Sequence, residues 1–474
     1  MKMKMMTLAA FAAGAAMAAA PDFKVGSVQN PTAIHIQRTM KALEESTAEK
    51  PATVRVLFYG QSIVAQGWTG VLMKMLKDKY PTVNFEWKNK AIGGFTSPAL
   101  TRTAWSDLFP YYPDLLFFHV YGPIDKYEEI VKNTRAMTSA EIVLWSSHLS
   151  KGQDPKKMLA QRDQRSKDIK AVAERNKCMF VDLNKKWSEM LVANDWAATN
   201  LLADGIHMNG KTDAFKYYAG FIGEEMCRIP GASGEPDVSG TIVEVPVVKG
   251  RDLKFTNDGG IKLRFTGNRV VAVSNGKNFS DAKGAEQPEA DLLLDGRPVS
   301  SYKEMWYCTR PSTLVSWMPM IYRVTFDALP VKEDWELTYI EGTDPWGKPV
   351  HYKVEGSVTG FDGEGWSTNA FKSTSGRAVI AKDAYHFTWQ YDYFVKKHVE
   401  KKPELMKKAA KPGDKIKWKT LPLFADPFVA QKAGETSVLV QNCSNEKHVL
   451  EIRPKKKGGK LPGIEKFIIY SPAK

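Results

Sequence analysis

Asp204, Gly205, Ile206 and His207 set a carboxylate three residues before an imidazole, and much earlier an apolar run at 54–59 leads straight into Gly60, Gln61 and Ser62. A serine hydroxyl is a poor nucleophile until a ring nitrogen takes its proton, and the imidazolium that results needs an anion beside it. A carboxylate close to the histidine also holds the ring in one tautomer. A sharp strand-to-helix turn is where a hydrolase exposes such a serine. Together the two fragments predict a serine esterase; each alone is a common sequence.

The elements that must position them alternate along the first half. Apolar strands are predicted at 54–59, 83–87, 114–121, 141–146 and 178–183, and helices at 32–45, 63–79, 126–137, 155–175 and 211–226. Continuous apolar strands separated by helices imply a parallel sheet covered on both faces. Ligands of such sheets bind beyond the carboxyl ends of the strands. Ser62, Gly94 and Gly122 follow the first, second and third strands, so all three fall on that rim. Residues 229–236 are rich in Pro and Gly and read as a linker. Beyond them, short alternating runs punctuated by Gly predict a mainly antiparallel, sandwich-like β region with a basic helix inserted at 391–410. The organisation expected is an export signal at 1–20, a helix and linker at 21–50, a catalytic domain at 51–232 and the β region at 238–474.

Phe58-Tyr59-Gly60-Gln61-Ser62-Ile63, Asn89-Lys90-Ala91-Ile92-Gly93-Gly94 and Asp204-Gly205-Ile206-His207 stand in the order of the SGNH (GDSL-type) hydrolases, which 51–228 resembles. The resemblance implies a flavodoxin-like, three-layer α/β/α fold around a five-stranded parallel sheet. It also implies that Ser62 is the nucleophile, His207 its general base and Asp204 the carboxylate that orients His207. The oxyanion donors it implies are the N–H groups of Ser62 and Gly94. Two positions depart from the pattern. Gln61 stands where the family usually has Asp, and Tyr121-Gly122-Pro123-Ile124-Asp125 lacks the Asn that serves as a further oxyanion donor. Tyr121, a backbone N–H of that loop or His148 are the candidate replacements, or the donor is absent. Exported hydrolases of this type with an appended β domain resemble carbohydrate esterases, which implies an O-acetylated polysaccharide as substrate.

The composition is that of a globular protein: 474 residues, 43% hydrophobic and 25% charged, with a formal net charge of +14. Lys2 and Lys4, an apolar run at 5–16 and the small-x-small sequence Ala16-Met17-Ala18 read as a secretory signal. For an exported protein nucleic acid is not the expected partner. An acidic glycan is one candidate for the late lysine clusters (Lys396 to Lys411 and Lys455 to Lys457), and a solvated surface is the plainer one. Cys178, Cys227, Cys308 and Cys443 are too few for a disulfide framework, although Cys178 and Cys227 could pair. His119 ends an apolar strand and is expected to be a core histidine; Asp182 is the rival to Asp204. No His/Cys/carboxylate cluster asks for a metal, and no cofactor motif is present. Trp306, Trp317, Trp346, Trp366 and Trp389 either fill the β core or stack on sugar rings. Two alternatives stand beside the esterase: a catalytically degenerate scaffold that binds glycans, and a lipase or thioesterase. Oligomeric state is open.

Overall fold

The computed structural model describes residues 19–234, 239–250, 252–314, 317–341, 349–387 and 411–473. Most of the expected signal, the expected basic helix at 391–410, Trp346 and Trp389 lie outside the described residues.

A 3-10 turn at Pro31–Ile36 leads into α1 (Gln37–Glu44), and then strand and helix alternate: β1 (Thr53–Gly60), α2 (Trp68–Lys79), β2 (Asn84–Asn89), α3 (Ser97–Asp107), β3 (Leu115–His119), α4 (Ile124–Met137), β4 (Glu141–Trp145), α5 (Pro155–Ala160), α6 (Gln164–Arg175), β5 (Met179–Val181), α7 (Leu183–Ala193) and α8 (Ala214–Gly223). The strands pair in parallel in the order β2-β1-β3-β4-β5. This is the flavodoxin-like arrangement, whose switch point lies between β1 and β3. Side chains alternate strictly between the faces. Val56, Phe58, Phe117 and Trp145 enter one buried cluster with α2, α7 and α8, while Leu57, Tyr59, Phe118 and Leu144 enter another with α3, α4 and α6. Both faces are covered, as the apolar strands require, and the three-layer α/β/α fold is as expected.

The helix boundaries differ from expectation in instructive ways. The predicted helix at 63–79 starts only at Trp68. The predicted helix at 155–175 is two helices, each capped by an aspartate, Asp154 for α5 and Asp163 for α6. Helices α3 and α7 are additions.

The second half is antiparallel. Strands β6 (Thr241–Pro246), β7 (Leu253–Phe255), β8 (Ile261–Ser274), β9 (Glu289–Leu294) and β10 (Arg297–Pro298) are followed by β11 (Trp306–Cys308), β12 (Glu333–Tyr339), β13 (His351–Gly356), β14 (Gly360–Trp366), β15 (Phe371–Lys372) and β16 (Val379–Ile380). The last are β17 (Lys415–Pro422), β18 (Phe428–Val429), β19 (Thr436–Pro454) and β20 (Ile464–Ser471). One eight-stranded sheet follows the order β10-β9-β19-β8-β20-β6, with β18 on β9 and β7 on β8; a five-stranded sheet follows β11-β17-β12-β13-β14. Each sheet has its own apolar cluster, with Phe326 packed against both. All four cysteines are buried free thiols, so Cys178 and Cys227 do not pair. Among the described residues no helix is long and apolar enough to cross a membrane. Lys455 pairs with Glu289 and Lys456 with Glu286, so part of the late basic cluster is already neutralised.

Candidate active site

β1 ends at Gly60, where only glycine fits: a Cβ there would lie 2.1 Å from the His119 carbonyl of the adjoining strand. The chain then turns sharply. Val64 and Ala65 both donate to the Gln61 carbonyl, at 3.0 and 3.1 Å, and close a single turn ahead of α2. Gln61 itself is buried, and its side-chain oxygen accepts the Ile63 N–H at 2.5 Å. That is the acceptor role a carboxylate would fill there, which accounts for Gln in place of Asp. Ser62 therefore sits in this turn and not at the N-terminus of α2. Stabilisation of negative charge there rests on individual N–H groups rather than on the dipole of a long helix.

Two hydrogen bonds bring the loop after β2 to the nucleophile. Ile92 donates to the Gly60 carbonyl at 2.9 Å, and the Asn89 amide donates to the Val64 carbonyl at 2.7 Å. Phe95 N–H closes a turn on the Ile92 carbonyl, with Gly94 at its third position and φ of 81°. That conformation costs a residue with a Cβ and suits glycine. A Cβ built on Gly93 would lie 3.6 Å from Ser62 Cβ, so the turn adjoins the nucleophile. Among the described residues no group accepts from the N–H of Ser62 or Gly94, leaving both available to a substrate oxygen.

The base arrives from the opposite end of the domain. Leu202 and Met208 bridge a tight loop, and Ala203 donates to the His207 carbonyl at 2.8 Å. Asp204 serves both loop and ring. One carboxylate oxygen accepts the N–H groups of Ile206 (3.1 Å) and His207 (2.9 Å), and the other lies 2.7 Å from His207 Nδ1. Burial raises the Asp204 pKa, but the hydrogen bonds from His207 and Ile206 outweigh it and hold the carboxyl at about 2. Ionised Asp204 keeps the proton on Nδ1, so Nε2 presents a lone pair. Ser62 Oγ lies 2.8 Å from that Nε2. All three sequence-predicted residues are thus in line. The site is open: the side chains of His207 and Asp204 are 35% and 56% exposed.

The neighbouring histidines are spent elsewhere. His148 Nε2 donates to the Ile206 carbonyl at 2.7 Å and steadies the loop that carries His207; burial lowers its pKa to about 4, so the ring stays neutral. His119 stacks on Trp145, contacts Ser147 Oγ at 3.2 Å and is pushed by burial to about 3, a core histidine as expected. The Tyr121 ring meets the His119 ring edge-on. His148, whose N–H goes to the Ile206 carbonyl, is therefore not free to replace the missing Asn. Asp182 caps α7 through the Lys185 N–H and pairs with Arg162, which removes it as a rival to Asp204.

Two residues from the β half reach this site and were not legible in the sequence as parts of it. Trp317 Nε1 donates to the Gly93 carbonyl at 2.8 Å, and its indole remains 55% exposed at the rim. Arg310 donates to the Lys90 carbonyl at 2.7 Å and, through Nε, to buried Asp107 at 2.8 Å, tying the end of β2 to α3. By contrast, Trp306 is buried, as the core reading expects.

No protein-family model matches the chain, and no curated protein does. Among solved structures, an acetylxylan esterase from Geobacillus stearothermophilus, Axe2, is 21% identical over 38% of this chain and 98% of its own, with a TM-score of 0.32. A two-domain esterase described as active on acetylated mannans is 12% identical over 92% of this chain and 95% of its own, with a TM-score of 0.36. At these scores the similarity carries no weight for chemistry. The fold rests on the observed 2-1-3-4-5 sheet, and the site rests on its own distances.

Proposed function

We propose that the protein is a serine ester hydrolase that removes O-acyl groups, acetyl above all, from a polysaccharide outside the cytoplasm. The observation that carries this reading is the unbroken line from Asp204 through His207 to Ser62, at 2.7 and 2.8 Å, beside two unused N–H groups. Ser62 Oγ attacks the ester carbonyl carbon while His207 Nε2 takes its proton. The tetrahedral oxyanion is held by the N–H groups of Ser62 and Gly94. Collapse expels the sugar hydroxyl, which leaves with the proton from His207, and an acyl-enzyme remains on Ser62. Water, deprotonated by His207, attacks that ester; acetate departs and Ser62 regains its proton.

The openness of the site favours a polymer lying across it over a buried acyl chain, and the indole of Trp317 offers a sugar ring a face beside the nucleophile. Export rests on the basic, apolar and small-residue order of 1–20. Turnover of an activated acetyl ester, and acetate release from acetylated xylan and acetylated mannan, test the reading. Wild type should act on all three or on one polymer with the small ester, and Ser62→Ala on none; residual activity near wild type in that variant sinks it.

A further inference from the structure

Where the parallel-sheet unit meets the antiparallel sheets, the surface opens into a cavity of about 370 Å³, a volume typical of small-molecule sites. Trp105 and Phe109 form one wall, and Trp306, Tyr307, Arg323 and Phe326 contribute to the others. Ser62, Asp204 and His207 do not line it, so this site stands independently of the hydrolytic reading.

Arg323 is the anomaly. Its guanidinium lies 4.4 Å over the Trp105 ring and is half-buried, yet no carboxylate or carbonyl among the described residues accepts a hydrogen bond from it. The titratable group that acts on it is the Cys308 thiol, which burial raises to about 12 and so keeps neutral. Lys303 and Glu304 also line the cavity, both exposed, and neither forms an ion pair with Arg323 among the described residues; Asp107 is taken by Arg310, and Glu333 by Val358 and Thr359. Arg269 also lacks an anion, but it is shut between the rings of Tyr112 and Tyr470. Arg323 instead opens on the cavity. Half-buried against an indole and without a counter-charge, its guanidinium keeps N–H donors open to an anion that enters the cavity.

We propose that this cavity binds a carboxylate-bearing sugar, a uronic acid unit of a glycan. The guanidinium fork matches a carboxylate in two parallel N–H···O bonds, which an ammonium cannot do. The aromatic walls meet the partially positive C–H face of a pyranose ring with their negative faces. The positive balance of the chain, +14 overall, raises the local concentration of an acidic polymer. The site would hold an acidic glycan at the seam while the cleft around Ser62 remains free.

Calorimetric titration of the full chain with a glucuronate-bearing oligosaccharide, and with the same oligosaccharide after its carboxyl is reduced to the alcohol, tests this. The acidic ligand should bind at least tenfold more tightly, with a Kd that rises with salt. Arg323→Gln should lose at least tenfold of that affinity, while keeping the wild-type melting midpoint within a few degrees and turnover of a small acetyl ester within twofold. Equal binding of the two ligands by wild type overturns the proposal without any variant, as does failure to bind either. An unchanged Kd in folded Arg323→Gln overturns it as well. Small-ester turnover in the same preparation reports on Ser62 separately, so the two readings fail independently.

Discussion

Two regions of this molecule line up a serine, a histidine and an aspartate, and only one has the geometry of a catalyst. In the cleft, Asp204, His207 and Ser62 stand at 2.7 and 2.8 Å. In the eight-stranded sheet, Asp295 lies 2.7 Å from His448 Nδ1, and Ser444 Oγ lies 3.1 Å from His448 Nε2. The aspartates even share a second task, since Asp295 accepts the Val449 N–H at 2.8 Å much as Asp204 accepts that of His207. The difference is one carbonyl. His448 Nε2 also sits 2.9 Å from the Ser444 backbone oxygen. A carbonyl only accepts, so it competes with the serine hydroxyl for His448 Nε2, whereas among the described residues His207 Nε2 faces Ser62 Oγ alone. That trio staples the irregular stretch of β19 between Gln441 and Glu446. The lesson is that a triad is defined by which atom is left to accept, and by free N–H groups nearby, rather than by three residue types within reach.

The largest expected effect comes from removing each serine in turn. Ser62→Ala should lower kcat by about 10⁴-fold or more, whereas Ser444→Ala should leave it within twofold, both read with an activated acetyl ester. The aspartates give the next contrast. Asp204→Asn should cost about 10⁴-fold in kcat, because the ring loses its enforced tautomer. Asp295→Asn should leave kcat alone and lower unfolding free energy by about 1 kcal/mol, as the loss of a charged hydrogen-bond acceptor does; chemical denaturation measures it. Equal effects at the two aspartates would erase the distinction.

A subtler test concerns His148, which holds the loop carrying His207. Its folded pKa of about 4 lies below the ordinary 6.5. Between those values the unfolded chain binds a proton that the folded chain refuses, so this group makes stability fall as pH falls from about 6.5 to about 4, by about 3 kcal/mol in all. Above that window the contribution is fully present. His148→Gln keeps a donor for the Ile206 carbonyl but cannot titrate, so the difference in melting midpoint between variant and wild type should change across that window and be flat above pH 7. The smallest effect is at the rim. Trp317→Ala should raise KM for an acetylated polymer several-fold and leave the small ester nearly unchanged, a split that steady-state kinetics on both substrates reads.

The legible parts of this protein were those written locally. Asp204 and His207 are three residues apart, and Asp204 closes its own loop, so their partnership needs no tertiary information. The parallel strands were legible because burial on both faces demands unbroken apolar runs such as Leu115–His119. Their chain order then fixed which loops share a rim. Helix α3 was not legible, because its buried face includes Ser97, Thr103, Ser106 and Asp107, polar residues matched only by distant partners such as Arg310. The start of α2 was misplaced because the Gln61 side chain and carbonyl organise a separate turn first. Trp317 at the rim, and Asp295 beneath His448, lie far along the chain from what they touch. No spacing rule reaches that far.

The most direct test of the central claim is covalent. The protein is incubated with a fluorophosphonate, then its intact mass is measured and the modified peptide located. An activated serine gives one adduct, on Ser62, absent in Ser62→Ala and formed far more slowly in Asp204→Asn, with Ser444 untouched. No adduct on folded protein, or an adduct on Ser444 in its place, would contradict the account.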